Sequence, residues 1–446
     1  MGCAQSSAPA GSGQVPTEPQ NPLLENDENL KHMNLKRRQT QKTTELQLGA
    51  KLKLKYAYIC QQGHYPDKPN YVCQDQCTVI DRFEDLEDQA FMGVFDGHGQ
   101  VGAGDLISKL AKEKIPHFFR ILRSSQKYQH FGNSAHPKPD LKKSAYSAAF
   151  IKANKSIISE VKEKSNMSGS TAVTAFFCED AVHVANVGDS RAILLRSYGS
   201  ECTIVELSKD QTPFREDERQ RILKSHKNAD IMTMGMKYGD VPVSEDYGDE
   251  EDLFGAGADP PRIWMKGEKY PGCAFTRSIG DSIGKTVGIF AEPEIYSRKL
   301  RKEDKYLVIA SDGIFEFLSN DDVMQVVLQH DDPYEACEEL VKTAFSTWLQ
   351  YDERADDITV IVVHIEMVDD GQKSLWDSAS EKAMETVLKK QLRKSSKASR
   401  LHAVVKHAQR RFGDKENAVL SIFPNQELEK KILPNKVELN YELEEE

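Results

Sequence analysis

No stretch of this chain is apolar for the roughly 20 residues that a membrane-spanning helix needs, which excludes an integral membrane protein built on helices. Positive charge is also short. Lys and Arg total 59 against 70 Asp and Glu, a formal net charge of -11, so the chain as a whole repels a polyphosphate backbone and nucleic acid is excluded as a first partner. Cysteine is sparse: the eight are scattered, several in apolar stretches where a reduced thiol packs as a small hydrophobe, a usage that suits the cytosol. Cys73 and Cys77 lack both the usual zinc spacing and a second Cys/His pair, which argues against a zinc site. No internal repeat is present. What is there is length, 446 residues, enough for a catalytic domain with accessory segments.

The first 30 residues are rich in Gly, Ser, Pro, Gln and Asn and poor in apolar side chains, and a disordered tail is expected over residues 1–50. Its start, Met1-Gly2-Cys3-Ala4-Gln5-Ser6, fits the acylation pattern in which Gly2 becomes N-terminal and takes a myristoyl group. One such chain holds a membrane only marginally, and palmitoylation of Cys3 or the Lys36-Arg37-Arg38 cluster supplies a second signal. The expected location is cytoplasmic and peripheral to a membrane, with an unmodified leader as the alternative.

Residues 51–367 read as a mixed α/β domain. Strands are expected at 51–60, 91–95, 171–178, 182–187, 306–310 and 358–364, where apolar residues alternate or run on. Helices are expected at 105–122 and 141–161 from their three- and four-residue spacing, after an N-cap at Ser319 with Asp322, and from Asp332-Pro333 onward. Strands in long runs with helices inserted between them argue for a layered α+β sandwich over a doubly wound sheet. Residues 208–272 are polar and Gly-rich with an acidic run at 245–252, and are expected to form a surface subdomain or a solvated loop. Residues 368–446 carry basic amphipathic helical patterns before an acidic end. Three destinations fit these helices: an autoregulatory contact with the catalytic domain, a partner or calmodulin-like groove, and an anionic membrane.

The chemistry sits in short aspartate motifs at strand ends. Phe95-Asp96-Gly97, Ser311-Asp312-Gly313 and Asp356-Asp357 each read singly as a turn. Together they place carboxylates where an α/β scaffold can hold them rigidly around hard cations, and carboxylate and carbonyl oxygens select magnesium or manganese. His98 follows Asp96-Gly97, and a histidine beside a metal carboxylate can serve as a general acid, since its ordinary pKa lies near neutrality.

These motifs resemble those of the protein phosphatase 2C family, in the family's order: Gln74-Asp75, FMGVFDGHG at 91–99, SGSTAV at 168–173, VANVGDSRAIL at 184–194, AFTRSIGD at 274–281, YLVIASDGIFEFL at 306–318 and DDITVIVV at 356–363. The resemblance implies a four-layer α-β-β-α sandwich, with two central antiparallel sheets flanked by helices. It also implies a monomeric serine/threonine phosphatase acting on phosphoproteins. In it Asp96 would bridge two metals, and the Gly97 carbonyl with Asp75, Asp312 and Asp356 would complete their shells. A water would then attack phosphorus without a phosphoenzyme, and His98 would protonate the departing oxygen. Asp189, with Glu316 where the family often has Asp, matches a weaker third-metal position. Thr276 and Asp281 belong to a family motif without a ligand role.

One departure stands out. The family commonly places an Arg shortly before the first metal Asp to grip the substrate phosphate, and the alignment puts Gln62 there, beside a short insertion at 71–73. Loss of a charged bond to phosphate costs about 1.5–3 kcal/mol, roughly ten- to a hundredfold in binding. Lys68 and His64 are the nearby candidates to compensate. Gln62 is also the direct support for an alternative, a phosphatase-like scaffold that binds phosphoproteins or membrane without turnover.

Overall fold

Segments that are apolar almost throughout, such as Gln89–Phe95 and Ala172–Cys178, suit strands covered on both faces, and all their residues are buried. The computed structural model describes residues 37–68, 70–124, 139–198, 201–244, 247 and 259–368. The acylation signal at Gly2 and Cys3, nearly all of the acidic run at 245–252 and the C-terminal amphipathic helices lie outside these described residues.

The strands in chain order are β1 (Arg37–Leu48), β2 (Leu52–Gln61), β3 (Gln76–Ile80), β4 (Gln89–Phe95), β5 (Gly97–His98), β6 (Gly169–Ser170), β7 (Ala172–Cys178), β8 (Ala181–Val187) and β9 (Arg191–Tyr198). They continue with β10 (Glu201–Glu206), β11 (Ala229–Met232), β12 (Arg262–Met265), β13 (Pro271–Cys273), β14 (Ile279–Gly280), β15 (Glu294–Lys299), β16 (Asp304–Ala310) and β17 (Ile358–Met367). The helices are α1 (Gly104–Ser124), α2 (Pro139–Val161), α3 (Glu216–Ser225), α4 (Met234–Tyr238), α5 (Asp312–Phe315), α6 (Asn320–Val327) and α7 (Pro333–Tyr351).

Two antiparallel sheets dominate, one in the order β1-β2-β17-β16-β9-β10 and the other β15-β8-β7-β4-β3. Alternation along β17 shows how they are layered. Ile361, Val363 and Ile365 join Met92, Val94 and Val173 in a core between the sheets, while Ile358, Val360 and Val362 face α6 and α7 on the outer side. A third core of Phe91, Phe119, Tyr146, Phe150 and Phe176 seats α1 and α2 on the other sheet. The result is the expected α-β-β-α sandwich. The local signals act as read: Ser319 and Asp322 form a capping box on α6, and Asp332 caps α7 ahead of Pro333.

The tail expected over residues 1–50 is corrected at its end. Residues 37–48 form β1, an edge strand paired with β2 through Leu46↔Leu54 and Leu48↔Leu52. Its run RRQTQKTTELQL holds too few apolar residues to announce itself, but an edge strand needs only one face covered, and its threonines favour extended backbone.

Within residues 208–272, α3, β11 and β12 contribute Ile222, Ala229 and Ile263 to a small core. Buried Glu218 on α3 ties this subdomain to the AFTRSIGD motif, accepting from Thr276 Oγ1 (2.6 Å), Arg277 Nη2 (2.7 Å) and Arg221 Nη2 (2.7 Å). Thr276 and Arg277 are therefore anchors, which accounts for a motif without a ligand role. Burial works to raise the Glu218 carboxyl, but the two guanidiniums outweigh it and hold it well below the usual carboxylate range. The resulting stabilisation is present above the unfolded value near ~4.3 and is lost as pH falls through the depressed folded value. Glu218→Gln is expected to cost about 1.5–3 kcal/mol in chemical denaturation at neutral pH, and the difference should shrink in strong acid.

Candidate active site

The site assembles where strand ends of the two sheets meet. Gln76 of β3 pairs with Phe95 of β4, so Asp75 and Asp96 extend side by side from one sheet. In the other sheet, Asp312 opens α5 directly after β16, and Asp356 precedes β17. Ser311 joins the two: its N–H donates to Thr359 O (3.0 Å), its Oγ accepts from Thr359 N (3.0 Å) and donates to Asp75 Oδ2 (3.0 Å). That serine is fully buried, so it acts as a rivet between the layers.

Asp96, Gly97, His98, Asp312 and Asp356 line a cavity of about 220 Å³, and Asp189 lines it too. Asp75 is 0% exposed, outside the lining, and its Oδ1 is buried without a hydrogen-bond partner. Like charges crowd here. Asp96 is pushed well above the usual carboxylate range by burial first and then by Asp312, Asp75 and Asp356, and Asp312 likewise by burial and then Asp356. Asp75 is pushed up to about 8 by burial and then the Asp357 charge. An orphaned buried carboxylate oxygen amid mutually repelling carboxylates fits hard divalent cations. Among the described residues the tightest group of three acidic side chains is elsewhere, at Asp217, Glu218 and Glu294. Those three are matched by Arg215, Arg221 and Arg277, which makes them an ion-pair network.

Gly97 is required by space as well as by its carbonyl, because a Cβ there would lie 2.6 Å from both Gln74 O and Gly104 O. Beside it, His98 Nε2 donates to Asp281 Oδ2 (2.7 Å), and the imidazole packs on Phe275 with ring centroids 4.4 Å apart. Burial works to raise Asp281, but the charge and hydrogen bond of His98, with Lys285, hold it below the usual range, so it stays ionised and only accepts. Asp281 adopts a left-handed φ of 42°, and a Cβ on Gly169 would collide with its Oδ2. Such strain is kept where a side chain must be aimed. Sequence reasoning missed this partner, 183 residues from His98, although AFTRSIGD contained it.

Gln62, expected beside the phosphate, is corrected by the structure. It lines neither this cavity nor the adjoining groove, and its amide donates to Tyr71 O (3.0 Å). The loop that follows it brings Tyr65, Lys68 and Tyr71 to the cavity instead. Tyr65 OH donates to Asp356 Oδ1 (2.5 Å), and Tyr71 OH to Asp357 Oδ2 (2.8 Å). Asp357, 3% exposed, also accepts from the backbone N–H of Gly63 and Gln74 (2.7 Å each) and so holds both ends of the loop. Asp189, pushed up to about 6 by burial and then Asp210, lies at the junction with a groove of about 610 Å³, which Glu316 also lines.

The family model described as "Protein phosphatase 2C" matches residues 71–347. The chain is 35% identical over 316 residues to "Probable protein phosphatase 2C 35" of Arabidopsis thaliana, spanning 70% of this chain and 83% of that protein. It is 32% identical over 302 residues to "Probable protein phosphatase 2C 65" of the same plant, spanning 66% and 72%. A crystal structure of serine-threonine phosphatase 2C from Toxoplasma gondii matches with a TM-score of 0.57 at 19% identity, over 74% of this chain and 99% of that one, a likeness of fold.

Proposed function

Because the chain belongs to the protein phosphatase 2C family and is a protein serine/threonine phosphatase, we propose that the cavity at the joined sheet ends is where phosphoserine and phosphothreonine are hydrolysed. Its cofactors are two hard divalent cations, magnesium or manganese, held by Asp75, Asp96, the Gly97 carbonyl, Asp312 and Asp356. The observation that carries this is the set of mutually repelling carboxylates around the cavity, with the Oδ1 of buried Asp75 left unpartnered. When bound, such cations supply an acidified water as nucleophile and positive charge against the phosphate. Asp189 and Glu316 fit a weaker third ion.

His98 gives its proton to the departing serine or threonine oxygen. Asp281 accepts the Nε2–H, so in the imidazolium form it is the Nδ1–H that faces the leaving group and is given to it. Tyr65 and Ser311 hold Asp356 and Asp75 in place, so the carboxylates need not reorganise during turnover. The family match, with curated relatives named as phosphatases, favours turnover over the scaffold alternative.

The test is manganese- or magnesium-dependent release of phosphate from a phosphothreonine peptide, with an Asp96→Asn, Asp312→Asn double variant as control. Turnover is expected for the wild type alone. A folded wild type inert across metals and pH would contradict the proposed reaction.

A further inference from the structure

Every carboxylate around the cavity repels a phosphate dianion, and the residue expected to attract it, Gln62, points elsewhere. Among the described residues lining the cavity, the lysine and arginine side chains are Lys68 and Arg354. They come from two loops that the fold has sewn together. His64 and Ala355 form a bridge with backbone hydrogen bonds of 2.8 and 2.9 Å, Tyr65 reaches across to Asp356, and Asp357 holds Gly63, Tyr71 and Gln74. Lys68 lies within this sewn segment with its ammonium 5.1 Å from the Tyr65 ring centroid, and Tyr65 in turn packs on Tyr71 at 4.2 Å. Arg354 precedes Asp356 by two residues, and its Nε donates to Asp352 Oδ2 (2.9 Å). Its side chain is still 52% exposed, and it lines both the cavity and the larger groove, the junction a phosphopeptide must cross.

We propose that Arg354 and Lys68 together grip the substrate phosphate, Arg354 with its forked donors and Lys68 as a point charge, in place of the single arginine that Gln62 does not supply. This rests on the phosphatase reading of the site. A planar guanidinium can bond two phosphate oxygens at once while keeping Asp352 on its remaining face, whereas a lysine supplies charge without that geometry. The tie between the loops fixes the backbone from which both cations extend, so less entropy is lost when phosphate arrives than with two untethered loops. The 71–73 insertion supplies Tyr71, the ring that packs on Tyr65 beneath the Lys68 ammonium.

The experiment compares wild type with Arg354→Ala, Arg354→Lys, Lys68→Ala and the Arg354→Ala, Lys68→Ala double variant. Two quantities are read: KM for a phosphothreonine peptide, and the inhibition constant of inorganic phosphate. Both residues are exposed, and thermal melting should show unchanged folding. Arg354→Ala is expected to raise both constants about ten- to a hundredfold with kcat changed only severalfold. Lys68→Ala is expected to raise them about three- to tenfold, and Arg354→Lys to recover part of the loss. A double variant within twofold of wild type in both constants overturns the proposal. So does a rise in KM with the phosphate constant unmoved, which would make these residues peptide contacts. If the wild type itself does not turn over, the phosphatase reading fails separately, and calorimetric binding of inorganic phosphate to the manganese-loaded wild type and double variant still decides the clamp. Equal binding by the two would overturn it.

Discussion

Asp96→Asn is expected to lower phosphopeptide turnover about a thousandfold or more and, in the chelated protein, to raise the melting temperature. The two effects share one cause. Asp96 sits in contact with Asp312 and within the field of Asp75 and Asp356, and burial adds to the cost of every charge. An amide keeps the shape, removes one charge and relieves roughly 1–3 kcal/mol of repulsion, which for a domain of this size is several degrees. The pH dependence has a definite sign. Folded-state values raised above the unfolded ones, as for Asp75 at about 8, mean stability present below about pH 4 and lost as pH rises toward 8. The chelated wild type should therefore melt lower at pH 8 than at pH 6, and Asp96→Asn should flatten that slope. Added manganese should stabilise the wild type and much less the variant. A variant that melts below the wild type in chelator, or that gains as much from manganese, would show that the carboxylates are not a frustrated cation site.

Part of the site was legible in sequence. Asp96, Asp312 and Asp356 each terminate or precede an apolar strand, so strand periodicity and the motif point to the same residue. The sandwich was legible for the same reason: β4, β7, β16 and β17 are apolar enough to be strands under any reading. Short amphipathic edges were not, and β1 was read as tail because, of residues 39–48, Leu48 alone is fully buried.

What stayed hidden depends on contacts between distant parts of the chain. Tyr65 meets Asp356 across 291 residues, and Gly63 meets Asp357 across 294, a closure that no local pattern in residues 62–74 announces. Gln62 was assigned a role by its neighbours in sequence, beside the 71–73 insertion. Arg354 lay in a polar connection, where a charged residue reads by default as solvated. Asp281 was visible as part of a motif, but its task is set by the backbone turn that aims it at His98.

His98→Asn is expected to lower kcat on a phosphothreonine peptide about 10²- to 10⁴-fold, the usual contribution of a positioned general acid, while an aryl phosphate with an acidic phenol as leaving group loses far less. An alkoxide departs poorly unless it is protonated as the bond to phosphorus breaks; a stabilised phenolate departs without help. The split between substrates thus isolates proton donation from any harm done to the neighbouring Asp96 and Gly97, which would slow both reactions alike. Asp281→Asn should show the same split at smaller amplitude. It removes the acceptor that fixes the His98 tautomer and can present an amide N–H where Nε2–H now points, turning the ring or displacing it from Phe275. If His98→Asn depresses both substrates equally, the imidazole is a structural neighbour of the cation ligands and the proton must reach the leaving oxygen from water. If instead only the peptide suffers, and the basic limb of its pH–rate profile disappears with the imidazole, the short bond to Asp281 marks the residue that prepares the proton for transfer.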